Sequence, residues 1–97
     1  MITAIVLLTV DVHAIPETAQ AIADIDRVSE VYSVTGDWEL VALVRVHAHE
    51  QVAEVVTGGI AKVPGVTGTH TMIAFQAFSS SDLDRLWGIG FEDAEGV

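Results

Sequence analysis

The sequence predicts an α+β domain in which two helices cover one side of a four-stranded antiparallel sheet. Three observations lead to this fold class. Four apolar segments rich in Val, Ile and Thr are typical of strands, and they cover residues 2–12, 30–35, 38–47 and 66–78. Two segments with apolar residues at helical spacing follow the first and the third strand. The resulting order, βαββαβ, is that of the ferredoxin-like fold, and a length of 97 residues suits one such domain.

The first strand has two different faces. One face carries Ile2, Ala4, Val6, Leu8, Val10 and Val12, and the other carries Thr3, Ile5, Leu7, Thr9 and Asp11. Pro16 then opens the first helix, where its missing N–H needs no hydrogen-bond partner. The apolar side of this helix consists of Ile15, Ala19, Ile22 and Ile25.

A short turn at Gly36 and Asp37 predicts a tight β-hairpin between the second and third strands. The tip carries the carboxylates of Asp37 and Glu39 beside the indole of Trp38. A carboxylate can bind an ammonium group, and turn N–H groups can bind a carboxylate, so the tip suits a small zwitterion such as an amino acid. The dipeptide alone favours a simple turn over a ligand site, since Gly supplies a positive φ and Asp tolerates one, and the flanking Trp38 and Glu39 make the two interpretations more nearly equal. Trp38 could also pack at a subunit interface.

The second helix is predicted to begin at Glu50 and to end at Pro64 and Gly65. Its apolar side consists of Val52, Val55, Val56, Ile60 and Val63. We therefore assign residues 1–78 to the ferredoxin-like domain and residues 79–97 to a C-terminal helix followed by an acidic tail. Ser81 and Asp84 have capping-box spacing at the start of that helix, and its apolar stripe is Leu83, Leu86 and Trp87.

Both faces of the predicted sheet are apolar at mid-strand. The residues expected on the side away from the helices are Ile5, Leu7, Val41, Leu43, Ile73 and Phe75. Those expected towards the helices are Val6, Leu8, Ala42, Val44 and Met72. An antiparallel sheet with one face in water normally alternates between apolar and polar residues. The pattern therefore predicts a face-to-face homodimer, a dimeric α/β barrel.

Composition excludes several classes of function. The chain has 14 Asp and Glu against 4 Lys and Arg, a net charge of −10, which disfavours direct binding of nucleic acid or of anionic membranes. It has no cysteine, so disulfides and thiolate metal sites are excluded. The apolar run over residues 1–10 is too short to span a bilayer and lacks the features of a signal peptide, so we expect a cytoplasmic protein.

Two short motifs within this frame resemble the effector-binding (RAM) domain of the Lrp/AsnC transcription regulators over residues 2–78. They are Val34-Thr35-Gly36-Asp37-Trp38-Glu39-Leu40 and Pro64-Gly65-Val66-Thr67-Gly68-Thr69-His70-Thr71. The resemblance implies sheet-to-sheet dimers, often assembled into octameric rings, with a small effector, often an amino acid, bound between dimers. It implies that Gly36, Asp37, Trp38 and Glu39 line the site, together with Thr69 and Thr71.

The chain departs from the family pattern in two ways. Glu39 stands where the family has an Asp in the hairpin, so the carboxylate is one methylene longer. The usual helix-turn-helix domain does not precede the first strand in this sequence. We therefore expect a stand-alone member that senses a ligand or joins full-length relatives, without binding DNA itself.

The residues also allow two other functions, a metal site and an enzyme. His47 and His49, in line with Arg45, could form a metal site with His13 or His70, but the arginine would repel a cation, so a solvated strand end is favoured. Dimeric α/β barrels also include monooxygenases and haem-degrading enzymes, which would use a residue such as His70 or His13. Because no acid–base or nucleophile–base pair is recognisable, we expect a binding module with no cofactor rather than an enzyme.

Overall fold

The computed structural model describes residues 1–78 and residue 80. Its strands are β1 (Ile2–Val10), β2 (Val28–Ser33), β3 (Leu40–Val46) and β4 (Val66–Ile73). Its helices are α1 (Ile15–Ala23) and α2 (His49–Val56), with short 3₁₀ turns at Val12–Ala14 and Ile60–Lys62. This order confirms the predicted βαββαβ arrangement. The predicted C-terminal helix and acidic tail lie outside the described residues.

The four strands form one antiparallel sheet with the order β2-β3-β1-β4, so β1 and β3 are central and β2 and β4 are the edges. This topology confirms the ferredoxin-like fold. None of the helices in residues 1–78 is long and apolar enough to cross a membrane.

One face of the sheet carries the core. The residues fully shielded from water include Ala4, Val6, Leu8, Leu40, Ala42 and Val44 from the central strands, with Ile22 from α1 and Ile60 from the second 3₁₀ turn. Burial of each large side chain stabilises the fold by about 1.5–3 kcal/mol. This face matches the helix side predicted for β1 and β3.

β1 and β4 both end earlier than predicted. β1 ends at Val10 because the side chain of Asp11 accepts a hydrogen bond from the backbone N–H of His13, at 3.0 Å, and so starts the first 3₁₀ turn. Val12 is consequently exposed rather than part of the strand. β4 ends at Ile73, and Phe75, which follows it, is fully exposed.

The connection between β2 and β3 is wider than the tight hairpin that the sequence predicted. β2 ends at Ser33 and β3 begins at Leu40, which leaves a six-residue loop over residues 34–39. The N–H of Val34 donates to the carbonyl of Glu39, at 3.1 Å, and closes the loop at its base. Glu39 also donates its own N–H to the carbonyl of Leu8, at 2.9 Å, so the loop is tied to β1 as well.

The face assignment predicted for β4 was wrong. Met72 pairs with Ile5 and therefore lies on the side away from the helices, whereas Ile73 pairs with Ala4 on the helix side. The reason is a bulge at Thr9 and Val10, where β4 holds one extra residue. One inserted residue moves every later side chain of a strand to the opposite face.

The start of α2 also differs from the sequence prediction. The side-chain Oε1 of Gln51 accepts hydrogen bonds from the backbone N–H groups of His47 and Ala48, at 2.8 and 3.0 Å. This cap ends β3 at Val46 and places His49 at the first position of the helix. The two histidines therefore do not share a strand face, and within residues 1–78 no group of three His, Cys, Asp or Glu side chains could hold a metal ion.

Candidate functional site

The loop over residues 34–39 holds four of the six residues that the sequence predicts for ligand binding. Its C-terminal end is fixed by Glu39, which is half-buried and contacts β1 twice. The backbone N–H of Glu39 donates to the carbonyl of Leu8, and its side-chain Oε1 accepts from the backbone N–H of Val10 at 2.8 Å. The second contact satisfies a donor of β1 that lies beside the bulge of β4. Glu39 therefore anchors the loop, a structural role that the sequence did not reveal.

Gly36 lies at the outer end of this loop with a φ of +107°. A side chain is strained at such a φ, although no atom lies within 4 Å of the position that its Cβ would occupy. The glycine is therefore required by the backbone conformation rather than by close packing. The space on the Cβ side of Gly36 is open, so a ligand can approach the backbone there.

Asp37 is exposed, and among the described residues its carboxylate has no hydrogen-bond or ion-pair partner. It differs in this respect from Glu39, whose Oε1 is engaged. Asp37 is therefore the acidic group of the loop that is free to receive a cation.

Trp38 turns towards the sheet and packs against His70 of β4. The ring centroids are 5.9 Å apart and the ring planes meet at 35°. His70 pairs with Leu7 across the strands, on the sheet face away from the helices. The sequence pointed to both residues separately but not to their contact, because the bulge decides which face His70 occupies.

Thr69 and Thr71 lie on the other side of β4. They pair with Leu8 and Val6, whose side chains are buried beneath the helices, and both threonines are exposed at the edge of the sheet. Within the described part of one chain, no hydrogen bond joins either threonine to the loop. The structure thus brings the four loop residues together and leaves the two threonines apart from them.

A separate cleft lies between α1 and the turn that leads into β4. It has a volume of about 450 Å³ and is lined by Asp11, Ala14, Glu17, Thr18, Ala21, Val63, Pro64 and Gly65. The two walls are joined by hydrogen bonds from the N–H of Asp11 to Gly65, at 2.8 Å, and from Thr18 Oγ1 to Pro64, at 3.1 Å. No sequence pattern indicates this cleft, because its walls come from segments distant in the chain.

The groups of the loop are suited to non-covalent contact with a small polar molecule. The loop offers a free carboxylate, backbone N–H groups and an aromatic wall, which together complement the ammonium, carboxylate and side chain of a small zwitterion.

Comparison with known proteins adds a family match. The family model described as the Lrp/AsnC ligand binding domain matches residues 3–83. The HTH-type transcriptional regulator FL11 of Pyrococcus abyssi is 33% identical over 73 residues, which cover 75% of this chain and 48% of that protein. The chain therefore spans about half the length of the curated relatives that it matches.

Solved structures agree with this match. The crystal structure of TTHA0845 from Thermus thermophilus is similar with a TM-score of 0.77 and 46% identity, and the match covers 81% of this chain and 99% of that one. The structure of Escherichia coli AsnC matches with a TM-score of 0.76 over 82% of this chain and 54% of that one. At 17% identity, the AsnC comparison shows the fold alone.

Proposed function

Because the chain belongs to the Lrp/AsnC family of ligand-binding domains, we propose that it is a regulatory module that binds an amino acid at the loop over residues 34–39. The observation that carries the proposal is the contrast between two carboxylates of that loop. Glu39 is used by β1, whereas Asp37 is exposed and without a partner among the described residues, next to the open backbone of Gly36.

The proposed binding mode follows from these groups. The ammonium of the amino acid contacts Asp37, and its carboxylate accepts hydrogen bonds from backbone N–H groups near Gly36. Charge-assisted hydrogen bonds contribute roughly 1.5–3 kcal/mol each. Two or three of them support micromolar affinity once the cost of association is subtracted.

One structural neighbour supports an amino acid as the class of effector. The crystal structure of the transcriptional regulator NMB0573 from Neisseria meningitidis is a complex with L-Met. It matches this chain with a TM-score of 0.69 at 13% identity, so it supports only the capacity of the fold to hold an amino acid.

The proposal includes self-association through the open sheet face. Ile5, Leu7, Val41 and Leu43 of the central strands are only half-buried there in a single chain. A second copy packed face to face would remove them from water. Each side chain would then stabilise the dimer in proportion to the apolar area that is still exposed in a single chain. A larger ring, such as an octamer, and association with full-length Lrp/AsnC relatives would extend the same dimer.

The proposed role in transcription regulation is indirect. A net charge of −10 provides too few cationic groups to neutralise phosphates, so the 97-residue chain alone should not bind duplex DNA. An electrophoretic mobility assay at physiological salt tests this point. Sub-micromolar binding by the purified chain would contradict it.

A thermal-shift screen of the twenty amino acids tests the site. A ligand at 100 times its Kd stabilises the native state by about 2.7 kcal/mol. That raises the Tm of a domain of this size by several degrees. Asp37→Ala should abolish the shift. Glu17→Ala, which removes an exposed carboxylate from the cleft beside α1, is the matched control and should leave it unchanged.

Three other outcomes would count against the proposal. If no amino acid raises the Tm of the wild-type chain, the class of effector is wrong. A shift that survives Asp37→Ala places the ligand elsewhere. A shift that is lost in Glu17→Ala instead points to the cleft.

A further inference from the structure

The cleft between α1 and the turn that leads into β4 is a second surface suited to a small molecule. Its volume of about 450 Å³ lies within the roughly 300–1,000 Å³ that is typical of ligand pockets. None of the six residues predicted for the amino-acid site lines it. Because α1 forms one wall, the cleft lies on the helix side of the sheet, and a second copy packed on the open face would leave it accessible.

Small side chains on α1 leave the space that forms the cleft. Ala14, Thr18 and Ala21 recur at spacings of four and three residues, so they share one face of the helix. Over the seven residues from Ala14 to Ala21, a helix rises about 10 Å. The opposite wall is the turn before β4, which consists of Val63, Pro64 and Gly65. The cleft is therefore a groove of mostly apolar lining that runs along α1.

The groove is held open by contacts between its two walls. Thr18 is 2% exposed and forms the floor, and its Oγ1 donates a hydrogen bond to the carbonyl of Pro64 at 3.1 Å. The N–H of Asp11 donates to the carbonyl of Gly65 at 2.8 Å. The walls are thus fixed without a ligand, so binding requires little ordering of the chain.

The charge of the groove is negative. Asp11 and Glu17 both line it and both are exposed. One oxygen of Asp11 accepts the N–H of His13, and no other partner of either carboxylate occurs among the described residues. Of the described residues that line the groove, none is basic. The groove therefore combines two carboxylates that lack a counter-charge with an apolar surface.

We propose that this groove binds a short aliphatic diamine. Each ammonium contacts one of the two carboxylates, and the methylene chain packs on Ala14, Ala21 and the Val63–Pro64 wall. An alkylammonium, like that of lysine, is charged at pH 7. This inference is independent of the proposed function, since the two sites share no residue.

The same groups disfavour other small ligands. An amino acid carries a carboxylate, which Asp11 and Glu17 repel. A metal ion would gain nothing from the apolar walls, and within residues 1–78 no group of three His, Cys, Asp or Glu side chains could hold one. An uncharged apolar molecule would leave both carboxylates without a partner. The diamine complements the charge and the lining together.

The test is a titration of the ¹⁵N-labelled full chain, followed by amide chemical shifts. The matched probes are 1,4-diaminobutane, 1-aminobutane and 4-aminobutanoate, which share a four-carbon chain and differ in the charged groups. The diamine should bind at millimolar concentration or tighter and shift amides within residues 11–21 and 63–65. The monoamine should bind about two- to fivefold more weakly, because it lacks one exposed ion pair. The aminobutanoate should be the weakest ligand, because its carboxylate is repelled.

Four variants assign the contacts. Glu17→Gln and Asp11→Asn each remove one charge and should each raise the Kd of the diamine about two- to fivefold. Asparagine keeps an acceptor for the N–H of His13, so the turn is retained. Ala21→Leu fills the groove from an exposed helix position and should raise the Kd about fourfold for each ligand methylene that it displaces. Glu54→Gln, on the exposed side of α2, is the matched control and should leave the Kd unchanged.

Each contrary outcome overturns the inference in a recognisable way. If no saturable shift occurs at millimolar concentration, the groove does not bind the diamine. If Glu54→Gln weakens binding as much as Glu17→Gln, the diamine is attracted only by the net charge of −10. Amide changes confined to residues 34–39 would place the diamine at Asp37 instead. Equal binding of 4-aminobutanoate, or no effect of Ala21→Leu, would also contradict the assignment.

Discussion

The two faces of the sheet use the same kinds of residue and reach different states of burial. Towards the helices, Leu8 and Val44 are fully shielded from water. On the other face their neighbours Leu7 and Leu43 are only half-buried, and Met72 is 40% exposed. The helices account for this difference, since both lie on one side. Apolar residues alone therefore do not identify the core of a single chain. The open face has the apolar composition of a core, but no helix of the same chain covers it.

The largest expected effect is at the helix-covered face. Leu8→Ala should lower the free energy of unfolding by about 2–5 kcal/mol, because it leaves a cavity in a fully buried site. Urea denaturation measures the loss, which should not depend on protein concentration. Leu7→Ala is the matched variant on the open face, and its loss should shrink as the protein is diluted if that face is a dimer interface, because dilution dissociates the dimer and removes the interface contribution. Equal, concentration-independent losses for both variants would remove the distinction between the faces.

The open face itself can be disrupted by a charge. Leu43→Asp should dissociate the dimer, since two carboxylates per interface would replace two apolar side chains. Sedimentation velocity at micromolar concentration measures the change. Ala53→Asp, which places the same charge on an exposed position of α2, should leave the assembly intact. A wild-type chain that sediments as a 10.3 kDa monomer would contradict the interface.

A smaller difference in stability is expected between alanine substitutions at two glycines, Gly65 beside α1 and Gly36 in the loop over residues 34–39. Gly65, with a φ of +102°, is packed against α1 so closely that an added Cβ would lie 2.3 Å from Thr18 Oγ1. Gly36 has a similar φ but open space around it. Gly36→Ala should therefore cost only the strain of a left-handed conformation, about 1–2 kcal/mol. Gly65→Ala should cost about 1–3 kcal/mol more because of overpacking. Equal changes in Tm would show that the turn relaxes around the new methyl group.

The smallest expected effect separates the two loop carboxylates. Glu39→Gln should lower stability by about 0.5–1.5 kcal/mol, because it weakens the hydrogen bond from Val10. Asp37→Asn should change stability by less than about 0.5 kcal/mol, since its carboxylate has no described partner. The loss of affinity for the amino acid should show the reverse order, with a larger loss in Asp37→Asn than in Glu39→Gln. If Asp37→Asn were the more destabilising variant, the assignment of Glu39 as the anchor and Asp37 as the ligand-binding carboxylate would be wrong.

The sequence predicted the order of elements and the helix side of β1 and β3, because apolar periodicity is a local property. It did not predict the width of the loop over residues 34–39, since Glu39 is bound to β1, a strand distant in the chain. The sequence analysis also assigned the side chains of β4 to the wrong faces of the sheet, because a single bulge reverses their alternation. Gly68 was the available signal: a glycine within a strand often marks a bulge, and here an added Cβ would lie 2.8 Å from Thr9 Oγ1.

The candidate site was predictable in part for the same reason. Gly36, Asp37, Trp38 and Glu39 are contiguous, so the loop brings them together whatever the details of its conformation. Which carboxylate is free depends on contacts with β1. The partner of Trp38 depends on the bulge.

The most direct test of the central claim, that an amino acid binds at the loop over residues 34–39, is hydrogen–deuterium exchange followed by mass spectrometry. The wild-type chain is compared with and without the amino acid that gives the largest thermal shift, and Asp37→Ala serves as the control. We predict slower amide exchange in peptides that cover residues 34–39 in the wild type, and no such slowing in the variant. Slower exchange confined to residues 11–21 and 63–65, the walls of the cleft, would contradict the account.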